Sequence, residues 1–148
     1  MSSGFEHLHT HSSYSPMWGI PTLEALCQAA RTQGQDRLAL TDTNGLYGAI
    51  RFLEVAKHEG LKPILGAELV HKAHRAVLLA KTPAGYANLC RLLSARHEES
   101  TFDFIAAVAR YRAGLIILSD DLSALRTWRK DSPKDVYVEL TPGSDIQE

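Results

Sequence analysis

The chain has 148 residues, and 45% of them are hydrophobic, which suits one compact globular domain with a sizeable core. Lysine and arginine number 16 against 17 aspartates and glutamates, so a net charge of −1 excludes a global basic field for nucleic acid. No basic segment with a following apolar run occurs near the N-terminus, and no stretch approaches the ~18 apolar residues of a membrane span. Cys27 and Cys90 have no CxxC partner, so we expect reduced core cysteines in a cytoplasmic protein.

The predicted elements begin with a short strand at residues 5–10, which leads into a polar loop at residues 12–19. Thr22 is predicted to cap a helix with apolar residues on one face, and Gly34 is predicted to end it. The pattern continues with predicted strands at 37–41, 63–70, 75–80, 115–118 and 136–140, and predicted helices at 49–59, 83–93, 102–111 and about 122–128.

About six predicted strands alternate with five predicted helices, which indicates an α/β fold with mainly parallel strands. Six such units are too few to close an eight-stranded barrel, so we expect an open sheet or an incomplete barrel. The chain stops soon after the last predicted strand. We therefore expect residues 1–148 to be one domain that is truncated at its C-terminal end.

Three histidines near the start of the chain alternate at period two. His7, His9 and His11 would share one face of a strand, and imidazole is a common ligand of zinc, manganese and iron. The alternative is a polar strand face whose histidines bond to their neighbours, because two histidines do not by themselves complete a metal site.

Two acidic residues strengthen the metal hypothesis. Asp42 and Glu68 follow predicted strands, and ligands collect where the carboxyl ends of parallel strands converge. Taken singly, Asp42 is more typical of a helix-capping or loop-ordering group, and Glu68 of a solvated strand end. Together with His9 and His11 they predict a metal site at one edge of the sheet.

The other candidates carry weaker signals. Asp120 and Asp121 could reach the same edge, although capping of the following helix is their more usual role. His71 and His74 flank a turn, where histidines are usually exposed. Trp18 could line a pocket beside the histidines or bury its ring in the core.

Four ordered segments carry a family resemblance. They are HLHTHSSYS at 7–15, LTDTNGLYGA at 40–49, KPILGAE at 62–68, and VLLAK with GYANL within 77–89. With these motifs the chain resembles the PHP (polymerase and histidinol phosphatase) domain at the N-terminus of the bacterial DNA polymerase III alpha subunit. The segments GLYG at 45–48 and NLCRLL at 88–93 favour the error-prone branch. Four motifs at compatible spacing rarely coincide by chance.

The resemblance implies a distorted barrel of about seven βα units with two or three metal ions at its carboxyl edge. In that arrangement His9 and His11 bind one ion and Glu68 bridges two. Active members of the family hydrolyse phosphoesters, and in some polymerases the domain is associated with 3′-5′ proofreading.

The chain departs from the family pattern at several ligand positions. Thr43 stands where active relatives have a histidine, Trp18 where an aspartate is typical, and Arg75 where a histidine precedes the next strand. His74 lies one residue earlier, which on a strand points to the opposite face. Residues 119–121 read Ser-Asp-Asp where the family has Ser-Gly-Cys. The resemblance therefore implies one or two divalent ions (Zn, Mn or Fe), or none if the site is degenerate.

Two functions follow from these observations. The favoured one is a PHP domain of a family C polymerase in replication or repair, with a structural or interaction role and with DNA, other polymerase domains or replication subunits as partners. The alternative is a stand-alone metal-dependent phosphoesterase that acts on a small phosphate ester or on nucleic acid. We expect no membrane partner. The candidate metal ligands are His9, His11, Glu68, Asp42, His7, His74 and Asp120.

Overall fold

The structure is a computed structural model that describes residues 4–98 and 100–141. The chain divides into two compact units, one that ends at Glu68 and one that begins at Leu69. The described helices are α1 (Leu23–Thr32), α2 (Ala49–His58), α3 (Pro83–Glu98), α4 (Phe104–Tyr111) and α5 (Leu122–Asp131). The described strands are β1 (Arg37–Leu40), β2 (Lys62–His71), β3 (His74–Ala80), β4 (Leu115–Ser119) and β5 (Val136–Val138). The predicted mixed α/β class is confirmed.

Helix α1 forms where its local signals predict. The Thr22 hydroxyl accepts a hydrogen bond from the backbone N–H of Ala25 at 3.2 Å, which satisfies one of the free donors of the first turn. The helix ends at Thr32, and Gly34 follows with φ +75°, a backbone conformation that favours glycine.

Strands β1 and β2 pair in parallel within the first unit, with Leu40 opposite Leu65. The same register continues past the end of β1, because Thr43 and Glu68 form an isolated parallel bridge. The backbone N–H of Glu68 donates to the Asp42 carbonyl at 3.1 Å. This extension of the ladder brings residues after β1 next to the acidic residue near the end of β2.

The core of the first unit lies among α1, α2 and the two strands. Its buried members are Leu23, Cys27, Ala30, Leu38, Leu40, Phe52, Val55, Ala56 and Leu61. Burial raises the pKa of the Cys27 thiol to about 11, so that side chain stays neutral at physiological pH. The prediction that Cys27 is a core residue is confirmed, whereas Cys90 is only partly buried.

The strand predicted at residues 5–10 is wrong, because that segment has no regular secondary structure. Two of its carbonyls still bond to β1 and the residue after it: His7 accepts from the N–H of Ala39 at 3.1 Å, and Thr10 accepts from the N–H of Thr41 at 3.0 Å. These acceptors are three residues apart while the donors are two apart. A ladder cannot propagate with that mismatch, so the period-two alternation of the histidines is broken.

In the second unit β4 pairs with β3 in antiparallel and with β5 in parallel orientation. Aspartates cap two of the helices: Asp103 accepts from the N–H of Ala106 at 3.1 Å, and Asp121 accepts from the N–H of Ala124 at 3.1 Å. Helix α3 runs to Glu98, beyond its predicted end at residue 93, because no glycine or proline interrupts residues 94–98.

Among the described residues, every helix is too short or too polar to cross a lipid bilayer.

Candidate metal centre

Three of the predicted ligands meet in the first unit. The Nε2 atoms of His9 and His11 are 3.1 Å apart, and each lies 3.5 Å from an oxygen of the Glu68 carboxylate. All three ligand atoms lie within 4.8 Å of one another, and the described residues contain no second group of this kind. The two imidazoles are partly exposed and the carboxylate is buried. We refer to these three side chains as the His-His-Glu cluster.

The chemistry of the cluster fits a divalent cation. Two imidazole nitrogens and one carboxylate oxygen form a donor set that zinc, manganese and iron accept. Three protein ligands also leave positions for water or a ligand around an ion. His9, His11 and Glu68 would therefore be the side chains that hold the ion.

The Glu68 carboxylate stays ionised at neutral pH. Burial raises the pKa of this group, but hydrogen bonds with His9 and Thr43 and the charges of His11 and His9 outweigh the effect and hold the pKa below its usual range.

Thr43 lies directly against the cluster. Its hydroxyl donates to Oε2 of Glu68 at 2.9 Å, and the Thr43 hydroxyl oxygen lies 3.3 Å from Nδ1 of His11. Sequence reasoning treated Thr43 only as a lost ligand. The structure shows instead that it contacts two members of the cluster, through the bridge that pairs Thr43 with Glu68.

Asp42 organises the loop that carries the second histidine. Its Oδ1 accepts from the Ser12 N–H at 2.7 Å and from the Ser15 hydroxyl at 2.6 Å, and its Oδ2 accepts from the Ser12 hydroxyl at 2.8 Å. All three residues are buried. Asp42 thus takes the loop-ordering role that was weighed as the alternative to a ligand, and it is not a member of the cluster.

The serines of this loop were missed as functional residues. Ser15 accepts from the Thr43 N–H at 2.9 Å and lies 3.1 Å from Nδ1 of His11. Gly19 closes the loop, because a Cβ at that position would lie 1.9 Å from the Ser12 carbonyl oxygen. The available signal was the serine-rich HLHTHSSYS motif, which places Ser12, Ser13 and Ser15 within four positions of His11.

His7 lies outside the cluster. Its ring is exposed and meets the Phe5 ring edge-on at 5.0 Å between centroids, while its backbone N–H donates to the Gln35 side chain at 3.1 Å. The irregular backbone of residues 5–10 is the physical reason, because a shared face requires a continuous strand.

His74 and Asp120 have separate partners in the second unit. His74 Nδ1 lies 2.5 Å from an Asp121 oxygen, and Arg75 donates to Asp120 at 2.6 Å. Burial raises the pKa of Asp121, but hydrogen bonds from His74 and Ser123 and from backbone N–H groups outweigh it and lower the pKa. Neither His74 nor Asp120 belongs to a group of three metal-ligating side chains among the described residues.

Trp18 is exposed to 72% and is not a core residue. Its indole stacks on the His11 imidazole, with ring centroids 6.4 Å apart and an interplanar angle of 30°. Of the two roles considered for Trp18, burial in the core is wrong. The indole instead covers one side of a cluster histidine.

The model of the PHP domain matches residues 7–139, which is most of the chain. The chain belongs to the PHP domain family.

The similar curated proteins are much longer polymerases. The chain is 46% identical over 94 residues to an error-prone DNA polymerase of Symbiobacterium thermophilum, and that match covers 63% of the chain and 9% of the polymerase. It is 34% identical over 140 residues to the DNA polymerase III alpha subunit of Treponema pallidum, and that match covers 80% of the chain and 12% of the subunit. The chain therefore spans about a tenth of the length of these relatives.

Solved structures support the fold. A Bifidobacterium adolescentis protein assigned to the metal-dependent phosphoesterases superposes with a TM-score of 0.62 at 12% identity, over 94% of this chain and 78% of that protein. A two-domain Bacteroides vulgatus protein that contains a predicted PHP-like metal-dependent phosphoesterase gives a TM-score of 0.59 at 14% identity, over 87% of this chain and 37% of that protein. At this level of identity the likeness establishes a PHP-type fold.

Proposed function

We propose that this chain is the PHP domain of a bacterial family C DNA polymerase and that it holds a single divalent ion in the His-His-Glu cluster. In this proposal the ion stabilises the domain and its contacts with the rest of the polymerase, and the domain does not hydrolyse phosphodiesters. The observation that carries the proposal is the convergence of His9, His11 and Glu68 while other potential ligands are engaged elsewhere.

The positions of Asp42 and Thr43 support one ion rather than several. Asp42 uses both carboxylate oxygens to hold Ser12 and Ser15, and Thr43 offers a hydroxyl where active relatives have an imidazole. Two-ion phosphoryl transfer needs one metal ion on the attacking oxygen and another on the leaving oxygen. The two ions come close enough for this only when protein side chains bind both of them. Three side chains are enough for one ion and too few for a two-ion clamp.

A bound ion would supply positive charge that could polarise a phosphate oxygen. The residues of the chain supply orientation and burial. Glu68 is held from one side by Thr43, and His11 is held by the loop that Asp42 anchors. Among the described residues, every buried side-chain nitrogen and oxygen already has a hydrogen-bond partner.

An interaction role within a larger polymerase is supported by the exposed apolar residues of the first unit. The polymerase relatives are about ten times as long as this chain, so a polymerase of that size has other domains that could cover exposed apolar surface of this one. The large apolar side chains that are exposed in this unit are Phe5, Leu8, Tyr14, Met17, Trp18, Ile20, Tyr47 and Ile50.

We also propose the setting that the polymerase relatives imply. The domain would meet DNA through the parent polymerase and not by a basic surface of its own, since its net charge is −1. It would contact other polymerase domains or replication subunits, in replication or repair, in the cytoplasm where the bacterial chromosome lies. The natural chain would continue past Glu148.

Metal content tests this proposal. We expect elemental analysis of the purified chain, loaded with Mn²⁺ or Zn²⁺ and then desalted, to give one ion per chain. The double variant His9→Ala, His11→Ala should lose the ion, and His58→Ala should keep it, because the His58 side chain is 85% exposed on α2. Free metal at ~100 times its Kd should stabilise the wild type by about 2.7 kcal/mol and leave the double variant unchanged.

Hydrolysis is the discriminating assay. A 3′-labelled single-stranded oligonucleotide and a chromogenic phosphate monoester should both remain uncleaved above the rate of the His9→Ala, His11→Ala variant. Two or more ions per chain, together with cleavage that the double variant loses, would instead establish the alternative phosphoesterase function. A chain without metal in every sample would overturn the proposed ion site itself.

A further inference from the structure

The His11 side chain has two hydroxyl groups beside the nitrogen that faces away from the cluster. Nδ1 of His11 lies 3.1 Å from the Ser15 hydroxyl oxygen and 3.3 Å from the Thr43 hydroxyl oxygen. A hydroxyl has one proton and two lone pairs, so it can either donate to Nδ1 or accept from it. The other partners of Ser15 and Thr43 decide between these roles.

Ser15 can only accept from His11. Its oxygen lies 2.6 Å from Oδ1 of Asp42, and a carboxylate oxygen has no proton to give, so the single Ser15 proton lies in that bond. The Thr43 N–H fills one lone pair of the Ser15 oxygen at 2.9 Å. The remaining lone pair faces His11.

The Thr43 hydroxyl can likewise only accept from His11. It donates to Oε2 of Glu68 at 2.9 Å, so the single Thr43 proton lies in that bond. The Thr43 oxygen therefore also presents a lone pair to Nδ1 of His11. Two acceptors on one nitrogen of a neutral imidazole require that this nitrogen carries the hydrogen.

We propose that Ser15 and Thr43 are positioning residues that fix His11 in the tautomer with hydrogen on Nδ1, so that Nε2 keeps its lone pair for the metal ion. This inference rests on the proposed ion site and assigns Thr43 a role in place of the ligand that the family has at its position. Metal-bound histidines usually donate their second N–H to a carboxylate or a carbonyl. Here the Ser15 and Thr43 hydroxyls accept that N–H, and they in turn donate to Asp42 and Glu68.

The arrangement also holds the metal-binding carboxylate. The Thr43 proton occupies one lone pair of Glu68 Oε2, while Oε1 faces His9 at 3.5 Å. One hydroxyl thus orients a nitrogen ligand and an oxygen ligand together. Loss of that hydroxyl should weaken metal binding in a way that the loss of an unrelated polar contact would not.

The tautomer can be read directly. Long-range ¹H–¹⁵N NMR spectra of the metal-free chain, recorded at about pH 8 where imidazoles are neutral, distinguish a nitrogen with hydrogen from one with a lone pair. We expect His11 to show hydrogen on Nδ1 and a lone pair on Nε2. The exposed His58 serves as the internal reference for an imidazole that no hydroxyl pair orients.

Variants of Thr43 separate positioning from folding. Thr43→Val keeps the shape and removes the hydroxyl, and it should give a mixture of His11 tautomers and about a 10-fold or greater loss of Mn²⁺ affinity. Thr43→Ser keeps the hydroxyl and should restore both properties. Thermal denaturation of the metal-free variants should show that both are folded at the temperature of the measurements.

Each result has a defined meaning. Hydrogen on Nε2 of His11 in the metal-free wild type overturns the inference even if Thr43→Val does not fold. Unchanged tautomer and affinity in a folded Thr43→Val variant, or failure of Thr43→Ser to restore them, also overturns it. Metal stoichiometry, measured on the same samples, separates this outcome from failure of the proposed function: an intact single ion with the wrong tautomer removes only the positioning role.

Discussion

Asp42 offers a quantitative test of how the candidate site is held together. Its carboxylate is buried, with 1% of the residue exposed, and it accepts three hydrogen bonds from Ser12 and Ser15 at 2.6 to 2.8 Å. We consider two substitutions. Asp42→Asn keeps the shape and removes the charge, and Asp42→Ala removes both acceptor oxygens and with them all three hydrogen bonds.

The expected magnitudes follow from the bonds. A hydrogen bond to a charged group contributes about 1.5–3 kcal/mol, and a neutral one about 0.5–1.5 kcal/mol. The asparagine can still accept through one oxygen, so Asp42→Asn should lower the free energy of unfolding by about 2–3 kcal/mol. Asp42→Ala leaves buried donors without acceptors and should cost about 4–6 kcal/mol, a large fraction of the 5–15 kcal/mol that is typical of a domain.

Urea denaturation followed by circular dichroism measures both values, with a chelator present so that metal binding does not contribute. Asp36→Asn is the matched control, because Asp36 is exposed just before β1 and its substitution should change the free energy by about 0.5 kcal/mol or less. A loss below about 1 kcal/mol in Asp42→Asn, or an equal loss in the asparagine and alanine variants, would show that the carboxylate does not hold the loop as argued.

Three further predictions concern the loop and the second unit. Gly19→Ala should destabilise the chain by about 2 kcal/mol and weaken metal binding, because the new Cβ would lie 1.9 Å from the Ser12 carbonyl; denaturation and metal titration measure the two effects. Paramagnetic Mn²⁺ should quench the fluorescence of Trp18, whose indole stacks on His11, and the quenching should disappear in Trp18→Phe. Asp121 has a lowered pKa in the folded chain, so its stabilising contribution is present above the unfolded-state pKa and is lost as the pH falls through the folded-state pKa; the difference in unfolding free energy between wild type and Asp121→Asn should shrink below about pH 4.

Each of these has a control in the chain. Ser13→Ala changes an exposed side chain of the same loop and should leave both stability and metal affinity unchanged. Trp128 is fully buried, so quenching that persists in Trp18→Phe would place the ion elsewhere than beside Trp18. Asp131→Asn, at the exposed end of α5, should show no comparable pH dependence, and a pH-independent effect of Asp121→Asn would contradict the assigned pKa direction.

The sequence by itself determined the local elements and the family. Thr22 caps α1 and Asp121 caps α5 as expected, because a capping side chain bonds to backbone within its own first turn. The sequence also showed the PHP motifs and named His9, His11 and Glu68 as candidate ligands, and the structure brings these three side chains together. The ligand role itself stays a prediction.

Only the tertiary structure decided which polar residues join that site and which support it. The segment of His7 follows β1 without the regular spacing of a strand, which separates His7 from the other two histidines. Asp42 bonds to serines 27 and 30 positions away, and Thr43 meets Glu68 25 positions away. Sequence patterns report periodicity within an element, whereas the direction of a hydroxyl or carboxylate depends on partners that only the folded chain brings together.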